Sequence, residues 1–201
     1  MSYLLPNIIS NCCVGGYLYK KMNISFRNPF IWNAIIPSDF VFLYQNFNSI
    51  NFTNIQLSNS NMHNLSDIYK ITIDSTIDVH YTHYHLSLAD KTPCIHGIDL
   101  LYQYAYKYVV QKYISRLQRM LTDREPPKFI ICDNKLDLMW SINDFDKLFS
   151  SKPRHPILIF TDKDLSSLTV PSHVIIINQS GYYHDHCIDN NYNMVYDWAS
   201  L

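Results

Sequence analysis

The sequence predicts an α/β fold: a mainly parallel or mixed sheet flanked by helices in a single compact domain, residues 1–201, with a small Asn/Ser-rich hairpin excursion. Three observations lead there. Short apolar runs of buried-strand length recur in PPKFIICD (126–133), HPILIFTD (155–162) and HVIIIN (173–178). Helical patterns separate such runs, and a chain of 201 residues is long enough to bury its own core.

Taken in order, Leu4–Ser10 reads as a buried first strand, although Pro6 interrupts its early part. Val14–Met22 follows as a short helix, entered through Gly15 and Gly16. NPFIWNAIIP (28–37) is irregular, and Ser38 is the expected N-cap of a helix over DFVFLYQNF. The polar stretch 51–66 is a loop, edge hairpin or insertion. IYKITID (68–74) and IDVHYTHYHL (77–86) are β-branched or alternating, hence strands. Residues 98–121 form the longest helical pattern, free of Gly and Pro. Ser141 with Asp144 three positions later is a capping signal for INDFDKLF.

Composition narrows the function classes. Hydrophobic residues make up 47% and charged residues 16%, as in a globular protein. A net charge of −1 supplies no basic footprint, so no nucleic-acid partner is expected. No apolar run reaches the ~18 residues of a membrane span, and the N-terminus lacks a signal-peptide pattern; the expected location is the cytoplasm. The five cysteines, 12, 13, 94, 132 and 187, contain no CxxC pair, which argues against a disulfide framework or zinc ribbon. No metal is predicted.

In open parallel sheets ligands sit beyond the carboxyl ends of strands. That places SNCCVGG (10–16), CDNKLD (132–137) and FTDKD (160–164) among the candidate loops. Within the first, Cys13 precedes the helix, where the positive end of the dipole favours thiolate. Gly15 and Gly16 would bring backbone N–H groups close to an anion, or else permit close packing. A thiol nucleophile needs a base, and DVHYTHYH (78–85) offers His80 and His83. Asp162 would contact a sugar nucleotide. Lys107, Lys112, Arg116 and Arg119 on the long helix read as a solvated face.

The stretch IISNCCVGGYLYKKMNISFRNPF (8–30) resembles the opening of the exopolysaccharide-biosynthesis proteins grouped as domain of unknown function number 1919. Ser10, Asn11, Cys13, Gly15, Gly16, Tyr19, Pro29 and Phe30 carry the likeness. DVHYTHY is similar to a later block of that family and places His80, His83 and Tyr84 on matching positions; RHPILIFTDKD resembles its late strand. Val14 stands where the family has an aromatic residue, and CDNKLDLMW replaces an acidic–basic segment. The resemblance implies an α/β fold and a place in making or decorating surface polysaccharide.

Joined to the residue chemistry, these readings predict acyl or glycosyl transfer to a sugar. Cys13, His80 and His83 are the catalytic candidates, and Ser10, Asn11, Gly15, Gly16, Tyr84 and Asp162 the substrate-binding ones. The donor would be an activated acyl group or a sugar nucleotide, and the partners a carbohydrate or activated sugar, with peripheral contact to a membrane polysaccharide-synthesis machinery. Two rivals stand beside it: a non-catalytic glycan- or protein-binding module using the tryptophans, and an SGNH-like esterase using Ser10, for which the late Asp-x-x-His pair is missing.

Overall fold

The computed structural model describes residues 7–59, 69–81, 98–122, 126–133, 139–179 and 184–200. Apolar runs with no alternation became the parallel sheet. Its strands are β1 (Ile8–Ser10), β6 (Lys128–Cys132), β7 (Ile157–Thr161) and β8 (Val174–Asn178), in the order β1-β6-β7-β8. Neighbours pair in parallel, with Ile9 opposite Phe129 and Ile131 opposite Ile159. The first three strands are buried at every position, as a sheet covered on both faces requires.

The alternating segments went elsewhere, into a second sheet that is antiparallel. β2 (Asn33–Ala34), β3 (Ile55–Asn59), β4 (Tyr69–Ile73) and β5 (Ile77–Tyr81) run in the order β2-β5-β4-β3. Ile71, Ile73, Ile77 and Val79 are fully buried on one face. On the other, Asp78 accepts from Lys70 Nζ (2.8 Å) and Thr72 Oγ1 (2.6 Å). Asp74 and Ser75 both take positive φ between β4 and β5, the backbone of a type I′ hairpin turn. The polar stretch 51–66 thus contributes β3, the last strand of this sheet in its described part.

Among the described residues there are six helices: α1 (Val14–Lys21), α2 (Pro37–Asn46), α3 (Ile98–Thr122), α4 (Ile142–Phe149), α5 (His184–Asn190) and α6 (Tyr192–Ser200). Ser141 and Asp144 form the expected reciprocal capping box on α4. Ser38 does not cap α2: the helix opens on Pro37 with Ile36 as N-cap, because proline's fixed φ suits the first helical turn. Alternate residues of β6 feed two cores. Phe129 and Ile131 pack with α2, α3, α4 and the antiparallel sheet, while Ile130 and Cys132 pack with α1, α5 and α6. No helix among the described residues is long and apolar enough to cross a membrane.

Candidate functional site

The carboxyl end of β1 is where the two sheets meet. The Asn11 side chain donates from Nδ2 to the Cys132 carbonyl (3.1 Å) and accepts from the Cys132 N–H at Oδ1 (2.9 Å). Its own carbonyl accepts from Ile35 N (2.8 Å), just past β2. One buried asparagine therefore ties the parallel sheet to the antiparallel one. Ser10 is equally committed: its fully buried hydroxyl lies within donating distance of the carbonyls of Cys12 (2.7 Å) and Phe30 (3.3 Å). Asn28 completes the frame by donating to Ile8 O (2.6 Å) while its Oδ1 accepts from Phe30 N (2.9 Å).

Cys13 is the N-cap of α1, so its sulfur stands at the positive end of that helix. The thiol is 8% exposed, against 1% for Cys12, which lies in the core. Its Sγ is 3.9 Å from the Asn33 carbonyl on β2. Gly15 and Gly16 let α1 approach so closely. A Cβ at Gly15 would collide with the Ser10 hydroxyl, and one at Gly16 would stand 2.5 Å from the Trp32 indole. Trp32 itself holds a left-handed φ of 57° and packs edge-on against Tyr17 at 4.9 Å between centroids. A bulky residue there is an outlier that surrounding structure must enforce.

His80 reaches the same strand from its other edge. It sits on β5 directly opposite Ala34, and residues paired in register share a face of the sheet. Ala34 packs in the cluster that contains Cys12, Val14 and Leu18, and His80 lies on the same face of the sheet as Ala34. Burial pushes its imidazole below the usual range; Asp78 pulls the other way and Lys70 adds to the lowering. The ring is consequently neutral near pH 7 and able to accept a proton.

Farther along the same rim, β6 and β7 end on a second polar group. The Asp133 carboxylate, only 2% exposed, pairs with Lys163 and accepts from Thr161 Oγ1 (2.8 Å) and Trp140 N (3.0 Å). Asp162 is exposed beside it and lines an open cavity of about 450 Å³ together with Lys163, Ser166 and Asn178. No group of three or more metal-ligating side chains occurs among the described residues.

Of the residues singled out in the sequence, Ser10, Asn11, Cys13, Gly15 and Gly16 gather at the β1–α1 turn, and His80 is in register with Ala34 on β2, next to the Asn33 whose carbonyl the Cys13 sulfur approaches. Asp162 lies at the β7 end of the rim. His83 and Tyr84 lie outside the described residues. Asn33, Asn28 and the pairing of Asp133 with Thr161 and Lys163 were not expected as features of the site. Asp133 and Lys163 do fall in the loops that topology marks, whereas no local pattern distinguishes Asn28 or Asn33. Arg116 is not part of a solvated face: it is 5% exposed and lies over the Phe26 ring at 5.0 Å.

No curated protein matches the chain. A family model does, and the match takes in β1, α1, β2, α2 and the antiparallel sheet, which is to say both Cys13 and His80. Residues 6–92 match the model of the family described as Domain of unknown function (DUF1919), the family that the opening of the chain resembles.

Proposed function

We propose that this protein transfers an acyl group to a sugar hydroxyl in surface-polysaccharide biosynthesis, with Cys13 as nucleophile and His80 as general base. One observation carries the reading. Cys13 occupies the N-cap position of α1 with its sulfur against one edge of β2, and a neutral, buried histidine is paired to the other edge of that two-residue strand. Thiol and imidazole together are the equipment of acyl transfer. The sugar as acceptor follows from the family resemblance, and the cytoplasm is the compartment in which the thiol stays reduced.

In the first half-reaction the sulfur attacks the carbonyl of an activated acyl donor. Its proton passes through His80 to the leaving group, and Cys13 is left as a thioester. A sugar hydroxyl then attacks that carbonyl, His80 takes the hydroxyl proton and returns it to sulfur, and the acylated sugar departs. The N–H groups in the first turn of α1 supply positive potential for the oxyanion. Asp162, on the open cavity of the rim, is a hydroxyl-binding group for the sugar. The Ser10 hydroxyl, held against carbonyls at 0% exposure, supports the thiol over the serine as nucleophile.

The test has two parts. Intact-mass spectrometry after incubation with acetyl-coenzyme A should show an acetyl adduct on the wild-type chain that Cys13→Ser loses as a thioester. Complementation of polysaccharide production in a deletion strain should fail with Cys13→Ala and with His80→Gln. Full production by both variants would remove the pair from the reaction.

A further inference from the structure

A second pair of thiols, unconnected with the transfer chemistry, lies behind the rim. Cys132 closes β6 and Cys187 sits in the middle of α5, 55 positions later, yet their sulfurs are 3.8 Å apart. They are 3% and 2% exposed, belong to the same apolar cluster and are not joined as a disulfide.

We propose that Cys132 and Cys187 are an oxidation site: a two-electron oxidant joins them into a disulfide that fastens α5 to the carboxyl end of β6. With hydrogen peroxide as oxidant, one thiolate attacks the peroxide and becomes a sulfenic acid as water leaves. The second thiol then attacks that sulfur, releases a second water and forms the S–S bond, so two thiols and one peroxide give one disulfide and two waters. A disulfide needs sulfurs about 2.05 Å apart, so the pair must close by somewhat under 2 Å. The movement falls to α5. Cys132 is held at its N–H and carbonyl by Asn11 and in register with Phe160 on β7, whereas α5 is a helix of seven residues. Because α5 packs against α1, the bond would also brace the helix that Cys13 caps.

Burial slows an oxidant without altering where the equilibrium lies, so the test is an equilibrium one. A Cys12→Ala, Cys13→Ala, Cys94→Ala variant retains only this pair and is brought to equilibrium in glutathione buffers of graded redox ratio. It is sampled both native and in concentrated urea, and the disulfide is read as a loss of two mass units and mapped to the peptides carrying residues 132 and 187. The native chain should form it at a thiol–disulfide ratio at least about tenfold more reducing than the unfolded chain, since folding has already closed the long loop. Equal or weaker formation in the native chain would overturn the proposal and leave the contact as packing alone. If the triple variant does not fold, the same mapping on the wild-type chain decides the matter: the 132–187 cross-link must predominate over links to residues 12, 13 and 94.

Discussion

Asn11 and Cys132 hydrogen-bond to each other in both directions, side chain to backbone, although 121 positions separate them in the chain. Asparagine is one of the few side chains that can continue a strand's ladder in this way, because it carries a donor and an acceptor on one planar group. Alanine at position 11 would strand a buried N–H and a buried carbonyl on Cys132 together. Each such orphan costs about 1–3 kcal/mol, so Asn11→Ala should destabilise by roughly 2–4 kcal/mol in urea unfolding. Aspartate would keep the acceptor but turn a lone pair toward the Cys132 carbonyl, and should be no better than alanine. A loss under 1 kcal/mol, roughly the net worth of a single ordinary hydrogen bond, would mean that the Cys132 N–H and carbonyl find other partners once the side chain is gone.

Gly15 and Ser10 form a steric pair that a double-mutant cycle can measure. In an ordinary helix Gly→Ala gains about 1 kcal/mol from backbone entropy. Here the new methyl would collide with the Ser10 hydroxyl and stand 3.0 Å from its Cβ. Overpacking of this kind costs about 1–3 kcal/mol, so Gly15→Ala should be net destabilising. Ser10→Gly removes both opposing atoms, and in that background the sign of the Gly15→Ala effect should reverse. Thermal unfolding of the four proteins checks it; simple additivity would show that the collision is relieved elsewhere.

What could be read from the sequence was what depends on neighbours along the chain. The run Ile157–Thr161, the Ser141–Asp144 cap and the uninterrupted pattern of α3 each carry their signal within a few residues. Cys13 as a helix cap belongs to the same class, since glycine pair, strand and helix pattern adjoin it. The division into two sheets was not foreseen, because strand type is local and sheet membership is not. The clue was present in the contrast between alternating Lys70–Ile73 and continuously apolar Ile157–Phe160, which separates a sheet with one polar face from one buried on both. Arg116 shows a different limit. Its spacing on α3 matches a solvated stripe, yet in the fold it is buried and lies over Phe26, which arrives from the α1–β2 connection.

Three histidines make stability depend on mild acid. Burial lowers the imidazole of His80, with Asp78 opposing and Lys70 reinforcing the shift. It also lowers His155, helped by His173, and His173, helped by Arg154. In the unfolded chain all three protonate near pH 6.5; in the folded protein they resist. The unfolded state therefore binds more protons as pH falls below about 6.5, so stability declines with acid until the folded-state values are passed. Urea midpoints at pH 7.5 and 5.5 should differ in that direction, and His80→Gln should flatten the difference. A midpoint that rises on acidification would show that these rings gain a partner when charged.

Asn33 presents the opposite case from Asn11, a buried amide with nothing to hold among the described residues. The residue is 1% exposed, and neither Nδ2 nor Oδ1 has a hydrogen-bond partner among the described residues. Its carbonyl faces the Cys13 sulfur, and the residue is in register with Tyr81. An unsatisfied buried polar group costs about 1–3 kcal/mol, and an apolar side chain of similar shape avoids that cost. Asn33→Leu should accordingly hold or raise stability by up to about 2 kcal/mol. Asn33→Asp should lower it, because an ionised carboxylate without donors is harder to bury than an amide. Calorimetric unfolding of the two variants separates the outcomes. A clear loss of stability in Asn33→Leu would establish that the amide is held in solution by a group such as an internal water, and the orphan would then be a satisfied one.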